Sequence, residues 1–113
     1  MANPIIHDIE VMKQSCALEL QQTRDRGSAP APYWFERVAI LSRKAQDYEQ
    51  EIAYCEAYLN SVDALYARGK IPRNTGVAMG PTHQAIVKRL AKARQLLAAK
   101  GQSGLEASRM GSR

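Results

Sequence analysis

Between positions 33 and 59 the chain reads YWFERVAILSRKAQDYEQEIAYCEAYL, a run that holds its only Trp, its only Phe, four of its five Tyr and one of its two Cys. The bulkiest core-forming side chains are gathered in about a quarter of the length, so any fold has to be built around this segment. Its apolar residues recur at spacings of three and four, the period of a helix rather than the alternation of a strand. Trp34, Val38, Leu41 and Ala45 make one stripe, widened by Phe35 and Ala39. Tyr48, Ile52, Cys55 and Leu59 make a second, continued beyond the run by Val62 and Tyr66 up to Gly69. Between the stripes, Asp47 with Gln50 three residues on has capping-box character, Asp taking the capping role. The spacing therefore predicts two antiparallel helices, over about 33–45 and 48–68, with a tight turn at 45–47.

The flanks supply two more helices. Asn3 followed by Pro4 is a helix opening, because Asn can accept an orphan N–H while Pro occupies the first turn, where no donor is missed. Ile5, Ile9, Met12, Cys16 and Leu20 then form one apolar stripe, and Gly27 is placed to end the helix, giving a span of about 4–26. Residues 27–32, Gly-Ser-Ala-Pro-Ala-Pro, cannot continue a helix and read as a stiff extended connector. Residues 71–80 carry Pro72, Asn74, Gly76 and Gly80 and read as a loop. After it, Ile86, Leu90, Ala93 and Leu97, with Val87 and Leu96 beside them, predict a fourth helix over about 81–100. The second-hairpin helix is longer than the first, and this fourth face is the natural cover for its overhang. Residues 101–113, rich in Gly and Ser, show no periodicity and read as a flexible tail. The expectation is an all-α domain at 1–100, four helices in all, with a tail at 101–113.

The hairpin resembles a tetratricopeptide-repeat unit. Phe35 stands at that family's first aromatic position, Val38 at its Leu and Ala39 at its small residue; Tyr48 follows the turn as the family's aromatic does, and Ile52 and Leu59 match apolar positions of its second helix. Ser42 replaces a usual Tyr, and Glu51 and Tyr58 stand where a small Ala is usual. The resemblance covers 27 residues with no second copy, and implies a single repeat-like hairpin buttressed by the first and fourth helices. The run ERVAILSRKAQDYEQEI is also similar to segments of bacterial and mobile-element proteins. That likeness carries no activity, and it suggests an adaptor or an inhibitor of a macromolecular complex.

Charge is the clearest functional signal. The formal net charge of +5 is unevenly spread: residues 1–65 carry six Lys/Arg against ten Asp/Glu, and residues 66–113 carry ten against Glu106 alone. Lys88 and Lys92 are one turn apart with Arg89 adjacent, and Lys70 and Arg73 lie in the preceding loop. Such a face could hold an acidic protein partner or follow a phosphate backbone, with affinity that falls as salt rises. Asp47, Glu49, Glu51 and Glu56 cluster along the third helix as the solvated side of an amphipathic helix or an acidic docking face; acidic and basic helices could also pair internally.

Catalytic and metal signatures are weak. His7 and His83 have no second ligand at metal spacing, no Cys-x-x-Cys occurs, and Cys16 and Cys55 on apolar faces read as buried free thiols. The segment GVAMGPT lacks the Lys of a phosphate loop and has no strand before it. These readings predict no cofactor, no metal and no enzymatic activity. Asp8 and Glu10 in place of a basic leader, and no apolar run of about 20 residues, predict a cytoplasmic chain without membrane contact. The expected function is a small non-enzymatic protein-interaction module acting through charged helix faces, with a sequence-nonspecific nucleic-acid binder as the alternative and a homodimer open.

Overall fold

The computed structural model describes the backbone of residues 4–69 and 80–111 and the side chains of residues 9–69 and 80–101. Four helices follow in order: α1 (Pro4–Arg26), α2 (Pro32–Lys44), α3 (Tyr48–Ala67) and α4 (Pro81–Gly111). No strand occurs among the described residues, and the fold is all-α.

The helix ends follow from local chemistry. Each of the first three helices stops where one residue enters the left-handed region: Gly27 at φ 70°, Gln46 at φ 59° and Gly69 at φ 70°. After α2 the N–H of Gln46 donates to Arg43 O at 2.9 Å and that of Asp47 to Ser42 O at 2.8 Å, the paired bonds of a Schellman ending. Gln46 is the one non-glycine residue among these three stops, so its Cβ bears the strain that Gly27 and Gly69 avoid. Asp47 then caps α3, its Oδ1 accepting from Gln50 N at 3.1 Å, as the sequence pattern predicts.

Helices α2 and α3 form the central hairpin, and α4 lies along both of them. Helix α1 rests mainly on α2 and touches α3 less; its Glu19 Oε1 accepts from Ala31 N at 2.7 Å, which ties the extended connector back to the first helix. Phe35, Val38, Ala39, Cys55, Tyr58, Val62, Ile86 and Leu90 fill the core, with Cys16 entering from α1. Rings of Phe35 and Tyr58 meet across the hairpin at 5.5 Å.

Three expectations change. The buried line of α3 is Glu51, Cys55, Tyr58, Val62 and Leu65, while Ile52, Leu59 and Tyr66 are half-buried. The inward face is thus turned by about 60°, the three-residue offset of a 3.6-residue turn, from the stripe the apolar residues mark. The cause is that α3 is covered on two sides, by α2 and by α4. On α2 the buried set is likewise Phe35, Val38, Ala39 and Ser42, with Trp34 and Leu41 half-buried. Val87 on α4, expected beside the core, is 42% exposed. Finally, the backbone of α4 stays helical past the expected end at 100 as far as Gly111. Gly101 interrupts the apolar pattern without interrupting the backbone hydrogen bonding, because a single glycine inside a helix costs only about 1 kcal/mol. Side chains of 102–113, on which the flexible-tail reading bears, lie outside the described residues.

Candidate docking face

The buried line of α3 includes a carboxylate. Glu51 has no exposed surface, and both its oxygens are engaged. Oε1 accepts from Arg43 Nε at 3.1 Å, and Oε2 lies 2.9 Å from both Arg43 Nη2 and Arg89 Nη1. Arg43 Nη2 also donates to Arg89 O at 3.2 Å, so one guanidinium joins the end of α2 to the third turn of α4 as well as to Glu51 on α3. A buried ion left unpaired is heavily penalised, and a carboxylate shared between two guanidiniums meets that need. Beside it, Ser42 Oγ donates to Val38 O at 2.7 Å and accepts from Gln50 Nε2 at 2.8 Å, closing the hairpin end with neutral hydrogen bonds.

Above this network the surface dips into a depression of about 320 Å³ lined by Arg43, Ala85, Lys88, Arg89 and Lys92. The α4 positions 85, 88, 89 and 92 share one side of the helix at spacings of three and four, and the small side chain of Ala85 leaves the hollow. Lys88 and Lys92 are exposed, and neither has a carboxylate within ion-pair distance among the described residues. The other cations of this helix whose side chains are described are engaged elsewhere: Arg94 Nη2 lies 2.7 Å from Glu56 Oε2, and Lys100 Nζ donates to Gln46 O at 3.3 Å while standing 5.7 Å from the Tyr48 ring centre.

The structure thus brings Lys88, Arg89 and Lys92 together and adds Arg43, which sequence reasoning had not singled out. Its placement in the last turn of α2, eight residues before Glu51, was the available signal; the hairpin turn converts that spacing into contact. Lys70 and Arg73 lie outside the described residues. The acidic set does not form one face. Asp47 is spent on the α3 cap, Glu49 is exposed near it, Glu51 is buried, and Glu56 pairs with Arg94. For Glu51 the expected solvated face is corrected to an interior position, because α4 covers the side of α3 that carries it.

A second polar pair was not anticipated. Tyr58 Oη and His83 Nδ1 are 2.9 Å apart in the core between α3 and the start of α4, beside a hollow of about 410 Å³ walled by Pro30, Pro32 and Pro81. Burial lowers the His83 pKa from its ordinary value, with Asp63 opposing the effect. Burial likewise pushes the Tyr58 hydroxyl up to about 12, and Tyr66 adds to it. Cys16 and Cys55 are free and buried. Burial first, then the charge of Glu19 or Glu51, pushes each thiol up to about 12, so both stay protonated and weakly nucleophilic at neutral pH. No group of three or more metal-ligating side chains occurs among the described residues, and none of their helices is long and apolar enough to cross a membrane.

Fold and site together define an all-α protein whose described residues form four helices, cross-linked by a buried carboxylate–arginine network and bearing a basic depression above it. In comparisons with known proteins, no family model matches the chain, and no curated protein or solved structure matches it.

Proposed function

We propose that this chain is a small non-enzymatic protein-interaction module that docks an acidic partner protein on the basic face shared by α2 and α4. The observation that carries this reading is the pair Lys88 and Lys92, exposed and uncompensated at the rim of a hollow floored by Arg43 and Arg89. Uncompensated charge of one sign around a concavity steers and orients a partner of the opposite sign. A nucleic-acid track fits less well among the described residues. Arg89 is drawn into the Glu51 network and Arg94 onto Glu56, which leaves the described cations of this face as a patch rather than a row to follow a phosphate backbone.

The test is capture of partners from lysate, with and without nuclease, by the natural chain and by Lys88→Glu/Lys92→Glu. Neither lysine contacts the core, so the double variant should keep its helical circular dichroism and its melting temperature. A protein retained after nuclease and lost with the double variant is the expected result. Material that nuclease removes would transfer the face to nucleic acid. Unchanged capture by the double variant would reduce the lysines to a solvated surface.

A further inference from the structure

Resting on the docking reading above, we propose that the hollow between α2 and α4 binds a phosphorylated side chain of the partner, with Arg43 and Arg89 as its floor, Lys88 and Lys92 as its rim, and Glu51 as the positioning residue. The Glu51 network uses Nε and Nη2 of Arg43 and Nη1 of Arg89, and leaves Arg43 Nη1 and Arg89 Nε and Nη2 outside it. Both guanidiniums are mostly covered, with 30% and 21% of their side chains exposed. Their orientation is therefore set by a fully buried carboxylate before any ligand arrives. Guanidiniums held in this way present planar donors suited to oxyanions, whereas free surface arginines must first lose side-chain freedom.

The charge balance selects the kind of oxyanion. Four cations surround the hollow and Glu51 is the one carboxylate in contact with them among the described residues, so a second single negative charge leaves most of the excess uncompensated. A phosphomonoester carries about −1.5 to −2 at neutral pH and offers three acceptor oxygens at a single point. A hollow of about 320 Å³ accepts such a group on a side chain, and among the described residues the neighbouring cations Arg94 and Lys100 are already paired with Glu56 or turned toward Gln46.

The experiment titrates the ¹⁵N-labelled full chain with a short capped alanine peptide bearing one central phosphoserine, and with its glutamate and unmodified serine counterparts. Shifts in the amides of 85–92 and in the Arg43 side chain should saturate with the phosphopeptide at about tenfold lower concentration than with the glutamate peptide, a factor expected from charge-assisted bidentate contacts. The serine peptide should leave the spectrum unchanged, and excess inorganic phosphate should displace the phosphopeptide while perturbing the same amides itself. Lys88→Glu/Lys92→Glu should abolish the phosphopeptide shifts. Glu51→Gln, which keeps the side chain's shape and removes its charge, releases the two guanidiniums and raises the net charge of the hollow, so it should change the ratio of phosphoserine to glutamate affinity; a residue with a merely structural role would change stability without changing that ratio.

Equal response to the phosphoserine and glutamate peptides overturns the phosphate assignment and leaves an acidic partner in place. Shifts that map elsewhere, or none, overturn it as well, even where lysine-dependent capture of a protein persists. Displacement of the phosphopeptide by duplex DNA, with a steep salt dependence, overturns it in favour of nucleic acid. Capture indifferent to the Lys88 and Lys92 reversals is the separate result that removes the docking reading itself.

Discussion

Two buried polar pairs set the chemistry at the scale of single residues. Glu51 is tolerated inside because both oxygens are taken by guanidiniums that still reach water at one edge, so the penalty for burying charge is met within the network and partly by solvent. His83 makes the opposite choice and is stabilised as the neutral ring. Its pKa lies below the ordinary 6.5 because burial disfavours the imidazolium, and Asp63 pulls it back only in part. Below pH 6.5 the unfolded chain binds the more protons, so the stability associated with neutral His83 is fully present above that pH and is lost as pH falls through the folded value. Urea unfolding midpoints should therefore fall between about pH 7.5 and about pH 5, and His83→Phe should flatten that slope while lowering stability at both ends through the lost Tyr58 hydrogen bond. An unchanged slope in the variant would show that other groups carry the pH dependence.

At the scale of the element, the turn between α2 and α3 is where sequence and backbone agree least comfortably. Asp47 supplies an effective cap, yet the residue before it holds φ 59° with a Cβ. Gln46→Gly should relieve that strain and raise unfolding free energy by up to about 1 kcal/mol, the benefit being trimmed by the greater freedom of glycine in the unfolded chain. Asp47→Ala should lower it by about 1 kcal/mol through the lost cap. Equilibrium urea unfolding of the two variants measures both signs, and a destabilised Gln46→Gly would mean that the side chain contributes contacts outweighing its strain. Much of this level was legible beforehand: the Gly27 and Gly69 stops and the Asp47 cap are local chemistry, written in a few neighbouring residues. The Gln46 stop carried no such mark, since only the docking of α3 on α2 forces a left-handed residue at that place.

For the whole molecule, the helices are unequally held. Helix α3 is covered by α2 and α4, whereas α1 leans on α2 and touches α3 lightly. Cys16 on α1 and Cys55 at the centre of α3 report on these two conditions, since both are buried and both thiols are protonated at neutral pH. Native protein should resist a thiol reagent. With added urea, peptide mapping should find Cys16 modified at lower concentration than Cys55, the order expected if α1 opens as a separate, less stable unit. Simultaneous modification would instead mark a single cooperative transition.

The amino-acid sequence alone determined the helices of the described residues, most of their ends, the hairpin at the centre and the concentration of positive charge on the last helix. Those properties depend on neighbours three or four residues apart and on composition, so no knowledge of distant contacts is required. Only the tertiary structure decided which side of α3 faces inward, that Glu51 rather than a hydrophobe lies on that side, and that Arg43 and Arg89 converge on it. The reason is physical: a helix packed on two sides has no single apolar stripe to announce its orientation. A charged residue on it reads as solvated until partners 8 and 38 positions away in the chain are brought within hydrogen-bonding distance.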